Sequence, residues 1–345
     1  MITLKEVAKI AQVSTATVSY VLNNAPGQVS EETRGRVLKV IKETGYKRNH
    51  IAKSLRNNKT KTIGLIAEDI NSDFTPGIIC GVTEYAESKE YHVLLNDLHM
   101  MDKLYNKYEN LSAYKKKVNE NINYLLEFHV DGIIYIAMYD RTIENIIDQV
   151  SCPLIYTYCY SPNEGDYSVA YDNEQAAFNV FLRLYEKGHT RIGVIAGPNN
   201  SVPSNRRLLG IKKFCEENKF KFPPIVHGNW EYESGYELAS ELLDHNPEIT
   251  AVFALNDLMA SGCIDACKGR DISVPDDLSI IGFDDRKISA FLSPKLSTMG
   301  LPLKEMGVVS TKMLIDICKG QEIDVRQKLL ECTYIEREST SEAIG

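Results

Sequence analysis

Two groups of residues in this 345-residue chain have the side chains and spacing to do chemistry. The first runs from Ser14 through Thr15, Ala16, Thr17, Val18, Ser19, Tyr20, Val21 and Leu22 to Asn23. At helical spacing Val18, Val21 and Leu22 fall on one face, and Thr15, Ala16, Ser19 and Tyr20 on the other. Short side chains and a phenol on an outward face can meet base edges, which nominates Thr15, Ala16 and Tyr20. Ser14, Thr17, Ser19 and Asn23 could hydrogen-bond phosphates, and Thr3 is a further candidate DNA contact. Taken singly, each of these polar residues could equally be a helix cap or a solvated site.

Charge gives the group its context. The formal net charge is −8, which for the whole chain argues against a polyanionic partner. Residues 1–61 nevertheless hold twelve lysines and arginines against four acids, a surplus of eight positive charges. The remaining residues hold 27 basic against 43 acidic side chains, a deficit of sixteen. A basic block on an acidic body predicts a tethered nucleic-acid-binding module, because phosphate neutralisation supplies most non-specific affinity. A solvated basic tail is the alternative.

The second group lies in the acidic part, where catalytic signatures are absent. There is no G-x-G-x-x-G, G-x-x-x-x-G-K-[ST], G-x-S-x-G or H-E-x-x-H pattern. Asp284-Asp285 could be paired carboxylates, but adjacent residues at a strand end point in different directions, so only one would face a ligand. The eight cysteines (80, 152, 159, 215, 263, 267, 318 and 332) include no Cys-x-x-Cys pair. Cys263 and Cys267 would share a helical face without further ligands, so buried free thiols are expected, with no metal site and no cofactor. A mean hydropathy of −0.24 and the lack of an 18-residue apolar run exclude a membrane helix. Without a basic-then-apolar leader after Met1, a cytoplasmic protein is expected.

The elements that must position these groups can be read from local signals. Thr3 and Glu6 form a capping box for a helix carrying Leu4, Val7, Ala8 and Ala11. Ser14 caps a second helix from Thr15 to about Leu22, after a break at Gln12-Val13. Ser30 opens a third, with Glu31 and Glu32 in its first turn and Gly45 at its end. Two short helices joined by a tight turn, with a third closing the core, constitute a helix-turn-helix headpiece over residues 1–46, whose second helix enters the major groove. Residues 47–61 form a basic hinge in which Asn49 could cap a helix of barely two turns. Such a segment can order on meeting its partner. Leu55, apolar among charges, is either a linker contact or a wedge for a minor groove.

From Thr62 onward, apolar runs at 62–67, 92–95, 132–137, 191–196, 251–255 and 278–283 alternate with helical stretches, as in parallel sheets. Ile63-Gly64-Leu65-Ile66-Ala67 is echoed by Ile192-Gly193-Val194-Ile195-Ala196, 129 residues later, which points to two similar α/β halves. Paired halves of this kind form a cleft at the carboxyl ends of their strands.

Thr3-Leu4-Lys5-Glu6-Val7-Ala8, Ala11 through Asn23, Val29-Ser30 through Arg34, Gly45-Tyr46, and Asn49 with Ala52-x-Ser54-Leu55-Arg56 together resemble the headpiece and hinge of the lactose/galactose repressor family of bacterial transcriptional regulators. The resemblance implies a homodimer whose headpieces read a near-palindromic double-stranded operator. It adds Asn49, His50, Ala52, Lys53 and Leu55 to the DNA contacts, with paired hinge helices inserting Leu55. Two residues depart from the pattern: Tyr20 where many members carry Arg, so their half-site does not transfer, and Arg48 where many carry Pro, which leaves the hinge less rigid.

The body resembles the same family's sugar-binding core, itself similar to periplasmic binding proteins. That implies two doubly wound subdomains, 62–168 with 301–330 and 169–300 with 331–345, the chain crossing near residues 169, 301 and 331 and closing with a strand at 335–340. Arg207, in Arg207-Leu208-Leu209-Gly210, matches the family's effector-binding arginine, and its planar fork suits paired hydroxyls or a carboxylate. Asn256 and Asp284 follow strands at positions the family uses to grip its effector. Trp230, the single tryptophan, aligns with a position that stacks on sugar rings in some members. Asp69, Ser72 and Phe74 fall in the first cleft loop, and Tyr158 stands where some members carry an acid. Alternatives are a local acid pairing with Arg207, a core role for Trp230, and helix capping by Asn256 and Asp284. Residues 98–117 read as an insertion and a solvated helix.

The expectation is therefore a DNA-binding repressor, not an enzyme, controlled by a small carbohydrate effector. With no heptad tail before Gly345, a dimer rather than a tetramer is expected. A phosphorylated carrier protein as corepressor, a purine-type corepressor, and a ligand-binding protein acting without DNA are the alternatives.

Overall fold

The computed structural model describes residues 2–23, 28–46, 59–100 and 111–343. The chain forms two compact units, Met1–Thr60 and Lys61–Gly345.

In the first unit, helices α1 (Leu4–Ile10), α2 (Thr15–Leu22) and α3 (Glu31–Thr44) follow the start and stop signals of the sequence. The capping box is formed: the Thr3 amide donates to Glu6 Oε2 at 2.7 Å, and the Glu6 amide donates to Thr3 Oγ1 at 3.3 Å. Ser14 accepts from the Thr17 amide at 3.0 Å and Ser30 from that of Thr33 at 3.4 Å. Gly45, at φ +63°, ends α3 in the left-handed region. Gln12, also left-handed (φ +53°), makes the turn between α1 and α2. Val7, Ala8, Ala11, Val18, Val21, Val37 and Val40 are the buried core, and Leu22 and Ile41 are half-buried at its edge. So small a core leaves the caps a large share of the stability.

The second unit contains two six-stranded sheets. The first has the order β11-β5-β4-β3-β1-β2, all parallel. Its strands are β1 (Thr62–Ala67), β2 (His92–Asp97), β3 (Gly132–Ile136), β4 (Leu154–Thr157), β5 (Tyr167–Tyr171) and β11 (Gln327–Leu330). The second has the order β12-β10-β9-β8-β6-β7. It comprises β6 (Ile192–Ala196), β7 (Ile225–His227), β8 (Ala251–Ala254), β9 (Ser279–Asp284), β10 (Ser297–Gly300) and β12 (Thr333–Ile335). The echoing segments are β1 and β6, which hold the same place, second from the edge, in the two sheets. Helices α4 (Thr75–Ser88), α5 (Leu111–Glu127) and α10 (Leu303–Cys318) accompany the first sheet, α10 entering it from β10 of the second. Helices α6 (Asn173–Glu186), α7 (Val202–Asn218), α8 (Tyr232–His245) and α9 (Asp257–Lys268) accompany the second.

Three expectations need correction. A division at residue 168 would cut β5, which stays in the first sheet to Tyr171, its ladder to β11 closed by Leu330. The last strand is β12 at 333–335, antiparallel to β10, rather than 335–340. Beyond it the chain holds the sheet through backbone and side chains together: the Ile280 amide donates to the Ser339 carbonyl at 2.7 Å, the Ser297 amide to Ser339 Oγ at 2.8 Å, and Ser339 Oγ to the Ile280 carbonyl at 2.6 Å. Finally, the described flanks of the 98–117 stretch are packed rather than solvated, since Leu98, Met100 and Tyr114 are buried. The Tyr114 hydroxyl donates to Glu68 Oε1 at 2.5 Å, and Arg141 Nη1 to Glu68 Oε2 at 2.9 Å. Burial alone would raise the Glu68 carboxyl, but Arg141 holds it below the ordinary range. Of the cysteines, 159, 215, 263 and 267 are buried, whereas Cys80 is exposed.

Helices α6 and α7 cross where Gly210 leaves no room: a Cβ there would lie 2.0 Å from the Glu174 carbonyl oxygen. Gly210→Ala should therefore force the two helices apart and lower the unfolding free energy by about 1–3 kcal/mol, read by urea titration of the full chain. An unchanged midpoint would contradict this packing.

Candidate DNA-reading surface and effector cleft

On the headpiece, Ser14, Thr15, Ala16, Tyr20 and Asn23 are exposed, with Thr17 and Ser19 half-buried. Tyr20 is 42% exposed, a high value for an aromatic ring on a small domain, and one that leaves it available to a partner. Several predicted DNA contacts already have local duties. Thr3 Oγ1 donates to Glu6 at 2.8 Å, Ser14 and Thr17 share a hydroxyl hydrogen bond of 2.9 Å, and Asn23 Nδ2 donates to Ser19 Oγ at 3.3 Å. Thr15, Ala16 and Tyr20 are the side chains that α2 presents outward. Asn49, His50, Ala52, Lys53 and Leu55 lie outside the described residues.

In the body, the strand ends of both sheets converge on Arg207, in the second turn of α7. Its guanidinium is 3% exposed. Nε donates to Asn173 Oδ1 at 2.9 Å, Nη1 donates to the Leu255 carbonyl, and Nη2 donates to the Tyr171 hydroxyl at 3.0 Å. Asp284 Oδ1 lies 3.5 Å from Nη2. Phe283 stacks beneath the guanidinium at 3.6 Å, and Trp230 stands 5.7 Å away. Tyr171 ends β5 in the first sheet, while Asp284 ends β9 and Leu255 follows β8 in the second, so Arg207 ties the two lobes together.

Asp284 sits at φ +108°, a conformation costly for a residue with a side chain, and burial pushes its carboxyl above the usual range despite Arg207 and Arg286. Its neighbour Asp285 turns away, accepting from Arg337 Nη2 at 2.6 Å, so the pair is not a catalytic dyad. Arg286 reaches across to the first lobe, donating to Asp73 Oδ2 at 2.5 Å and lying over the Phe74 ring at 5.2 Å. Phe74 packs on Tyr158 at 5.6 Å, and Tyr158 stacks on Tyr171 at 5.7 Å.

The remaining predicted residues mainly position others. Asn256 caps α9 by accepting from the Met259 amide at 2.9 Å, and its Nδ2 donates to the Trp230 carbonyl at 2.8 Å. Trp230 is half-buried, left-handed at φ +76°, and its ring covers Gly197, where a Cβ would fall 2.1 Å from it. Ser72 shares a 2.6 Å hydrogen bond with Thr75 at the start of α4, and Asp69 Oδ1 accepts from the Asn71 amide at 2.9 Å.

Sequence reasoning missed Asp73, Asp140, Tyr160, Tyr171, Asn173, Arg206, Phe283 and Arg286. Most of them follow or end a strand, which was a usable signal, but their pairings are long-range: Arg286 and Asp73 are 213 residues apart. Asp140, after β3, accepts from Asn173 Nδ2 at 2.5 Å and lies 4.0 Å from Arg206 Nη1. Arg206 itself covers the Tyr160 ring at 4.1 Å. Among the described residues no cluster of three or more His, Cys, Asp or Glu is placed to hold a metal ion, and no helix is long and apolar enough to cross a membrane.

Known proteins share both parts. Residues 3–49 match the lacI family of bacterial regulatory proteins, and residues 181–340 a periplasmic binding protein-like domain. The HTH-type transcriptional repressor CytR of Escherichia coli is 33% identical over 344 residues, covering 98% of this chain and 96% of that one. The ribose operon repressor of Haemophilus influenzae is 30% identical over 341 residues, 98% of each. The chain belongs to the lacI family. It is a DNA-binding transcriptional repressor with a ligand-binding core, and the family consists of regulators rather than enzymes. Among solved structures, the Lac repressor dimer bound to operator and the anti-inducer ONPF covers 99% of this chain and 99% of its own at 25% identity and a TM-score of 0.76.

Burial pushes the Asp140 carboxyl up to about 6, against the pull of Arg206 and Arg207. A carboxyl raised in the folded state stabilises when protonated, so its contribution is full below the unfolded value near 4 and is lost as pH rises through about 6. Relative to Asp140→Asn, the unfolding free energy of the wild type should rise by about 1 kcal/mol between pH 7 and pH 5, measured by denaturant titration at each pH. A pH-independent difference would contradict the burial.

Proposed function

We propose that this lacI-family repressor acts in the cytoplasm as a homodimer whose two headpieces read a near-palindromic operator, with Thr15, Ala16 and Tyr20 at base edges. Operator affinity is set by a small hydroxylated effector, a sugar or sugar derivative, in the cleft between the two lobes of each core. The observation that carries this reading is Arg207: a buried guanidinium whose hydrogen bonds come from both lobes, walled by Phe283 and Trp230. A ligand exchanging with any of those contacts changes how the lobes are held, and through them the hinge at 47–61. The Lac repressor dimer on its operator supports the assembly, and a CelR–cellobiose complex, 27% identical with a TM-score of 0.65 over 98% of this chain, supports a sugar. The aromatic walls Phe74, Tyr158 and Trp230 suit a nucleobase as well, so a nucleoside is the second reading.

Two substitutions test the two ends. Tyr20→Ala should weaken operator binding by about 1–3 kcal/mol while leaving affinity for random DNA unchanged, in titrations at fixed salt on a site selected from a random library. An equal loss on both DNAs would make Tyr20 a structural residue. Arg207→Lys keeps the charge but loses the planar fork. Tenfold or weaker effector binding is expected from Trp230 fluorescence titration, with circular dichroism verifying the fold. Undiminished binding would remove Arg207 from the site.

A further inference from the structure

The arginines of the cleft are already matched by the protein's own acids. Arg207 faces Asp284, Arg286 faces Asp73 and Asp284, and Arg206 faces Asp140. Three guanidiniums meet three carboxylates. Arg207 spends Nε, one Nη1 hydrogen and both Nη2 hydrogens within the protein, and Phe283 covers one of its faces. A phosphate or carboxylate needs an uncompensated guanidinium or ammonium, best engaged as a two-pronged fork. Here it would meet guanidiniums already matched by carboxylates, and its charge would be buried beside theirs in a site of low polarisability, where repulsion is large.

The opposite need is visible at Asp140. This side chain is 1% exposed, and its Oδ1 lacks a hydrogen bond of full geometry, with the Tyr160 hydroxyl the group beside it. Ser204 Oγ, also buried, makes no hydrogen bond. Ser204 lies one turn before Arg207 on the same face of α7. Buried polar atoms left unpaired cost free energy until something supplies their partners. The Asp140 loop is held in place independently of any ligand, because its neighbours are tied to Glu68: the Met138 amide donates at 2.9 Å and Arg141 Nη1 at 2.9 Å. Asp140 is thus a fixed acceptor between the lobes, beside the Asn173–Arg207 hydrogen bond.

We propose that the cleft selects a neutral effector, a free sugar or nucleoside, by donation of a ligand hydroxyl or amino group to Asp140, and that it rejects the phosphorylated or carboxylated forms of the same compound. This rests on the effector site proposed above and adds to it the charge class of the ligand and the residue that enforces it.

The test uses the full-length protein and matched pairs: D-ribose with ribose 5-phosphate, D-glucose with glucose 6-phosphate, cytidine with CMP, and adenosine with AMP. Trp230 fluorescence and calorimetry give each affinity. At least one neutral member should bind, at least tenfold more tightly than its phosphate, and Asp140→Asn should weaken the neutral ligand tenfold or more and narrow that preference. A phosphate binding as well as or better than its neutral partner overturns this inference while leaving the effector site standing. A neutral ligand that binds Asp140→Asn as tightly as the wild type removes Asp140 from recognition. No saturable binding by any member overturns the effector reading and this inference together. The comparison within the wild type needs no variant to fold.

Discussion

The body of this repressor depends on one buried cation. Arg207 lies out of water between two lobes, and an isolated guanidinium there would be untenable. Both lobes must therefore supply its partners: Tyr171 and Asn173 where the chain leaves the first sheet, and Leu255 and Asp284 at strand ends of the second. That requirement keeps the strand ends facing one another and makes the seam polar rather than an apolar core. Around it, the Arg286–Asp73 and Arg206–Asp140 pairs repeat the arrangement at the margins. A seam held by exchangeable hydrogen bonds can be re-paired by a ligand at modest cost, whereas an interdigitated apolar interface could not.

The headpiece rests on different physics. Its core of seven buried residues among those described is small, and caps at Thr3, Ser14 and Ser30 with the left-handed Gly45 fix where the helices begin and where α3 ends. The caps fix α2 so that Thr15, Ala16 and Tyr20 are the side chains it holds outward.

Local features were the legible ones. Capping boxes, glycine stops and apolar strand runs depend on residues a few positions apart, and the three helices and six of the strands could be read directly. Short or polar strands could not: β11 is largely exposed, so nothing in Gln327–Leu330 marks it as sheet. Arg207, Asp284 and Trp230 were recognisable from their motifs, and the alternative of a capping Asn256 describes its hydrogen bonds. Asp140, Arg206 and Arg286 were not, because an ordinary charged residue becomes part of a site only through a partner far along the chain. Tyr114 was misjudged for the same reason: its partner, Glu68, is 46 residues away.

If effector and operator compete for, or cooperate through, one arrangement of the two lobes, their affinities are linked, and that linkage is the most direct measurement. With a ligand that binds the cleft, effector affinity would be measured with and without saturating operator, and operator affinity with and without saturating effector. The two affinities should change by the same factor, about 5- to 150-fold. A ligand that saturates the cleft while leaving operator affinity unchanged would contradict the linkage.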